Sequence, residues 1–299
     1  METTVEQLLT EWFERASMDM ATTTRQTTES AIKILIEDFG PISVDSIRPL
    51  HIDDWHAARR AAGYSRGYNV RIAGVLGTAC VWGIKRDYCI SNPVANAKQK
   101  KETGRKVKSP TPDAVKAALA WAKAHDFLLW VFLEIDTIIG ARRSEILGLM
   151  RDDFDPDMMT LTIRRVVVPC KGGIAIEERT KTDSGARVVS VDEELADLLQ
   201  KWLATHDSPW LFPGRDKSLP MNPTSITHKV QRLGDALGFR LHAHAFRHYC
   251  ATTSLASGIA PPIVAARMGD TVSTIHKIYA HAVRSNDRGA ADALRRSIS

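Results

Sequence analysis

The residues best suited to chemistry lie between His242 and His281. This stretch opens with HAHAFRH, three histidines and an arginine in seven residues, and later presents Tyr279 among small and apolar neighbours. A guanidinium holds two phosphate oxygens bidentately, an imidazole accepts a proton near neutral pH, and a phenol can act as a covalent nucleophile. Together these side chains suit chemistry on a phosphate. HxHxxxH is also the outline of a metal site, which needs second-shell partners and an open position. Here the motif has no aspartate among its histidines and runs into a helix, so metal binding is the weaker reading.

Such residues need a scaffold, and composition bounds it. The 299 residues suffice for two domains with sizeable cores, and 44% hydrophobic with 25% charged residues is ordinary for a globular protein. The net charge of +5 and a pI near 9.0 make the distribution of charge more telling than its total. The N-terminus lacks the basic start and apolar run of a signal peptide, and no stretch has the apolar length of a membrane span. Cys80, Cys89, Cys170 and Cys250 form no CxxC pair and are expected as reduced thiols of a cytoplasmic protein.

Apolar spacing predicts helices over 3–19 and 24–39, a third in IRPLHIDDWHAARRAAG with Asp53 or Asp54 near its start and Gly63 closing it, and a long fourth capped by Ser65. Four helices in the first 97 residues make a compact helical domain. The fourth carries Arg66, Arg71, Lys85 and Arg86, a candidate DNA-facing stripe whose ordinary alternative is a solvated face. Residues 98–110 form a basic linker with Lys98, Lys100, Lys101, Arg105, Lys106 and Lys108, enough cations to neutralise several phosphates.

From residue 111 to 299 the pattern changes to that of a second domain. A capped helix is followed by the almost wholly apolar FLLWVFLEIDTIIG, hence a buried helix. Arg142 and Arg143 sit at the junction with the next helix, which is expected to run on through Glu145 to Leu149. Strand-like alternation in MMTLTIRRVVVP, GGIAIEERT and ARVVSV predicts a small antiparallel sheet, with Lys181 at the hairpin between its last two strands. Helices then resume. The expected fold is mainly α with a small antiparallel sheet: an N-terminal helical domain and a mixed α/β domain.

GARRSEILGL, TKTDSGARVVSV, WLFPG, HAHAFRHYCATTSLASG and RMGDTVSTIHKIYAH, in this order after a helical domain and a basic linker, resemble the tyrosine recombinase (phage integrase) family. The resemblance implies a SAM-like core-binding domain followed by a catalytic domain, in a two-domain form without an arm-binding domain. It implies a site-specific recombinase that cuts and rejoins DNA through a 3′-phosphotyrosyl intermediate, with no metal, ATP or other cofactor. The partners implied are double-stranded core or attachment sites, three further copies in a tetramer on DNA, and an accessory directionality factor, with nucleoid association when bound. Position by position, it makes Arg142 the first phosphate-binding arginine, matched by glycine, one residue, arginine, two residues, glutamate. Lys181 becomes the hairpin lysine, His244 and Arg247 the His-x-x-Arg pair, Tyr279 the nucleophile and Glu145 a support for Arg142, while Arg143 is structural or DNA-contacting. His242 and His248 become structural neighbours.

One departure is visible. In the family the glycine matched by Gly269 is usually followed by a histidine or tryptophan that touches the phosphate; here Asp270 follows. A carboxylate beside a phosphate is repelled, so Asp270 is expected to point elsewhere and cap the next helix. His276, one turn before Tyr279, is the candidate substitute, with slower but not abolished chemistry as the expected result. A DNA-binding regulator of the same fold that no longer cuts is the alternative reading.

Overall fold

A computed structural model describes residues 2–97, 109–178 and 186–276. The chain divides into two compact units, Met1–Lys106 and Val107–Ser299.

The first unit is helical: α1 (Val5–Ala16), α2 (Thr22–Phe39), α3 (Pro49–Ala61) and α4 (Arg66–Ile84). Thr4 and Gln7 close a capping box at the start of α1, and Ser65 accepts from the Tyr68 amide at the start of α4. The third helix begins earlier than the sequence suggests. Pro49 supplies its first turn, where a missing N–H costs nothing, so Asp53 and Asp54 lie inside it. Val5, Leu8, Leu9 and Trp12 of α1 pack with Leu35, Phe39, Ile72 and Leu76 into one apolar core. Gly83 lets α4 approach α1, since a Cβ there would stand 2.7 Å from Leu8 Cδ1.

The second unit opens with α5 (Pro112–His125) and the buried α6 (Phe127–Ile139), capped by Thr111 and Asp126. The expected continuous helix after Gly140 is a single turn, α7 (Arg143–Ile146). The strands β1 (Phe154–Asp155), β2 (Thr160–Ile163), β3 (Arg165–Cys170), β4 (Gly173–Glu178) and β5 (Arg187–Ser190) form two antiparallel sheets, ordered β1-β2-β5 and β3-β4. The run MMTLTIRRVVVP therefore bends at Arg164 and serves both sheets. The buried carboxylate of Asp153 holds the bend, taking Arg164 at 2.8 Å and Arg165 at 2.6 Å. As a result β4 pairs with β3 and β5 with β2, so among the described residues the two strands flanking Lys181 do not pair with each other as the expected hairpin would have them.

Then come α8 (Glu193–Leu203), α9 (Pro223–Leu237), α10 (Ala245–Ala256) and α11 (Pro261–Met268). Phe132 on α6 is fully buried edge-to-face on Phe212, centroids 5.7 Å apart, at the centre of the core. Among the described residues no helix is long and apolar enough to cross a membrane.

Candidate active site

Three points of the chain bring Arg142, Glu145, Arg247 and Asp270 together. The first is Gly140, which ends α6 in the left-handed region at φ 66°. Glycine takes this conformation without Cβ strain, and a Cβ there would stand 3.0 Å from Cys250 Sγ on α10. Arg142 follows at the foot of α7. Its Nη1 donates to Glu145 Oε1 at 2.8 Å and its amide to Glu145 Oε2 at 2.9 Å. Its Nη2 donates to the Gly269 carbonyl at 2.7 Å and to Asp270 Oδ1 at 2.6 Å.

The second is the start of α10, where His244 occupies the cap position without a side-chain cap bond. Arg247, on the first turn, is 7% exposed. Its Nη1 donates to the carbonyls of Gly140 and Met268, the latter at 3.0 Å, and its Nη2 donates to Asp270 Oδ2. The third is Gly269, left-handed at φ 67° after α11. The Asp270 amide returns to the Ala265 carbonyl at 2.9 Å, closing the helix end and aiming the Asp270 side chain at the two arginines.

Asp270 is thus not the cap of the next turn. Thr271 fills that role, accepting from the Thr274 amide at 3.1 Å. Repulsion by a phosphate would turn Asp270 away, yet the side chain faces Arg142 and Arg247. Two guanidiniums attract the carboxylate, and each of its oxygens takes one of them.

Glu145 is 0% exposed. Burial would raise its pKa, but Arg187 and then Arg142 outweigh that and hold it below the usual carboxylate range. Arg187 was not among the residues singled out from sequence. Its Nη2 meets Glu145 Oε2 at 3.0 Å and its Nε donates to the Arg267 carbonyl at 2.8 Å. A signal existed: Val189 is an inward position of ARVVSV, and the two-residue period puts Arg187 on the same face. Asp136, on α6, is also buried. Burial drives its carboxyl well above the ordinary value against the opposing pull of Arg247, and its Oδ1 has no hydrogen-bond partner among the described residues.

Arg143 turns away from this cluster and donates to the Thr227 hydroxyl of α9. His276 is exposed, and its side chain makes no hydrogen bond among the described residues. His242 and His248 meet edge-to-face with centroids 6.0 Å apart, and among the described residues no group of three or more His, Cys, Asp or Glu side chains is arranged to hold a metal. Lys181, Tyr279 and the cations of the linker from Lys98 to Lys108 lie outside the described residues.

The pKa of His244 is lowered from its ordinary 6.5 by desolvation and by Arg143, Arg247, His242 and His248. The residue is exposed, so the neighbouring cations are the firmer cause. His244 is neutral at pH 7 and fit to accept a proton. Because the folded state resists protonation, this group contributes stability above pH 6.5 that is lost as pH falls from 6.5 toward the lower folded-state pKa. Histidine NMR titration is expected to place the His244 midpoint below 6.5, with the melting temperature declining over the same acid range. A midpoint at or above 6.5 would contradict this assignment.

In the first unit, Arg66, Arg71, Lys85 and Arg86 lie along and just beyond α4. Arg66 opens α4 and is half-buried, while Lys85 and Arg86 follow its last residue, Ile84. Two of them lie over aromatic rings: Arg71 is 5.5 Å from the Tyr68 ring centroid and Arg86 4.7 Å from that of Trp82. Tyr68 in turn stacks on Tyr64, whose other neighbour is Arg59 at 4.3 Å.

The chain matches the model described as the phage integrase family over residues 109–285, and that described as the phage integrase N-terminal SAM-like domain over residues 4–58. No curated protein sequence matches it. Among solved structures, the Tn1549 transposon integrase in complex with a circular intermediate DNA superposes with a TM-score of 0.85 at 22% identity, covering 98% of this chain and 99% of that one. A lambda integrase tetramer bound to a Holliday junction gives 0.73 at 15% identity, covering 92% and 77%. A lambda integrase dimer bound to a core site gives 0.71 at 15% identity with the same coverage. At these identities the likeness is one of fold.

Proposed function

From the premise that the chain belongs to the phage integrase family, we propose that it is a site-specific tyrosine recombinase acting on double-stranded DNA. The observation that carries the reading is the convergence of Arg142 and Arg247 on the two oxygens of one carboxylate. A pocket that grips a bidentate anion with two guanidiniums is suited to the non-bridging oxygens of a phosphodiester.

In the proposed reaction, Tyr279 Oη attacks the scissile phosphorus and forms a 3′-phosphotyrosyl bond while the bond from phosphorus to the 5′ oxygen breaks. Neutral His244 takes the phenol proton or holds the phosphate, and Lys181 protonates the departing 5′ oxygen. Arg142 and Arg247 stabilise the added charge on the pentacoordinate phosphorus. A 5′ hydroxyl of the partner strand then reverses the step and joins new strands, because the phosphotyrosine retains the bond energy. No metal or ATP enters. Four protomers on two duplexes would complete the exchange, with the helical unit and the basic linker closing around DNA as the remainder of a clamp and an accessory factor setting direction.

The test is a nicked suicide substrate built from the DNA flanking the gene. The wild-type protein is expected to give a covalent protein–DNA adduct that withstands denaturant and forms equally with a chelator present, and Tyr279→Phe is expected to give none. The position of Asp270 inside the arginine pocket favours one second reading, a DNA-binding regulator of the same fold. Retarded mobility of the same DNA without any adduct would select it.

A further inference from the structure

The geometry points to Asp270 as a built-in competitor that sets which anions the Arg142–Arg247 pocket admits. The proposal rests on the reading of that pocket as the scissile-phosphate site.

Asp270 does not reach the pocket by chance of a long side chain. Gly269 cannot easily be anything else: its φ of 67° strains other residues, and a Cβ would stand 2.5 Å from Arg187 Nη1. The Asp270 amide is tied to Ala265, the Gly269 carbonyl accepts from Arg142, and Arg187 holds the Arg267 carbonyl two residues upstream of Gly269. The carboxylate is therefore delivered by a fixed turn, side chain 18% exposed, with Oδ1 on Arg142 and Oδ2 on Arg247. Two oxygens on two guanidiniums is how a phosphate would be held, and the two anions exclude one another.

A tethered competitor acts at high effective concentration. Free phosphate or sulfate, which brings only its own contacts, loses to it. A phosphodiester within a duplex that the rest of the protein already grips arrives tethered in its turn, and that additional binding energy displaces the carboxylate. Asp270 thus subtracts a similar amount from every anion and leaves only well-anchored DNA able to engage the arginines. Discrimination by a repulsive element of this kind adds to attractive readout elsewhere. On this account Asp270 occupies the place of the family's phosphate-touching histidine or tryptophan and exchanges some rate for selectivity.

The experiment titrates inorganic phosphate into the full chain by calorimetry at low salt. Asp270→Asn keeps the shape and removes the charge, and it is expected to bind phosphate at least about tenfold more tightly than the wild type, the equivalent of one charge-assisted hydrogen bond released. Adding Arg142→Lys to Asp270→Asn is expected to erase the gain. Asp270→Ala, checked for folding by circular dichroism, is the second variant; if neither variant gains phosphate affinity, the proposal is overturned. On suicide substrates, the ratio of adduct on flanking DNA to adduct on scrambled DNA is expected to fall in Asp270→Asn, and an unchanged or higher ratio would overturn the selectivity claim. If no variant forms an adduct on any DNA, the recombinase reading fails while the phosphate titration still decides the role of Asp270.

Discussion

Arg247→Ala is expected to lower strand cleavage by about 10²-fold or more, the scale found when one donor to a developing oxyanion is removed, and to lower stability as well. The two effects come from different ends of one guanidinium. Nη1 is structural, tying the carbonyl that ends α6 to the carbonyl that ends α11, and Nη2 faces the anion position. The buried carboxyl of Asp136 also lies within the charge influence of Arg247. Arg247→Lys separates the roles. One ammonium on a flexible stem cannot reproduce a planar fork aimed in two directions, so this variant is expected to keep the charge near Asp136 and most of the stability while cleavage stays low. Adduct yield on the suicide substrate and thermal denaturation of the same preparations read the two effects. A lysine variant that cleaves as well as the wild type would show that Nη2 does not contact the reacting phosphate.

Much of this fold was legible because the signals are local. Ser65 and the threonine that opens TPDAV announce helices by side-chain oxygens placed before apolar periodicity, and each accepts the expected amide; Asp126 and Asp192 cap two more helices in the same way. Family spacing named Arg142, Glu145 and Arg247, and the fold gathers these three around Asp270 and Arg187; His244 stands one turn before Arg247. What was not legible depends on partners far along the chain. Nothing in MMTLTIRRVVVP tells that Asp153 bends it between two sheets. Nothing in RMGDT tells that Asp270 meets Arg142 and Arg247, because the attraction exists only once the turns at Gly140 and Gly269 and the first turn of α10 have formed. Arg187 lies between these cases: its inward face follows from alternation, but its partner Glu145 does not.

The buried partner of these arginines carries the second large effect. Glu145→Gln is expected to destabilise the catalytic unit by about 3–5 kcal/mol, the cost of breaking a buried ion pair from one side. Glu145 is fully enclosed, and its carboxylate accepts from the Arg142 amide, Arg142 Nη1 and Arg187 Nη2. Glutamine keeps the volume but offers one acceptor oxygen and an NH₂ group that would face a guanidinium. Arg187, with a side chain only 9% exposed, would lose a carboxylate that offsets its own burial. Such a loss is a large share of the 5–15 kcal/mol that typically separates folded from unfolded domains, so urea denaturation should resolve it clearly. Because the pKa of Glu145 is lowered in the fold, its contribution is present above the ordinary 4.5 and is lost as pH falls through the folded value; the variant's deficit relative to wild type should therefore shrink in acid. Combining Glu145→Gln with Arg187→Met removes both charges of the pair, and the double variant is expected to be less destabilised than the sum of the singles. A loss under about 1 kcal/mol in Glu145→Gln, or strict additivity in the cycle, would show that the carboxylate does not hold the two arginines in place. Arg142 would then owe its position to Gly269 and Asp270 instead.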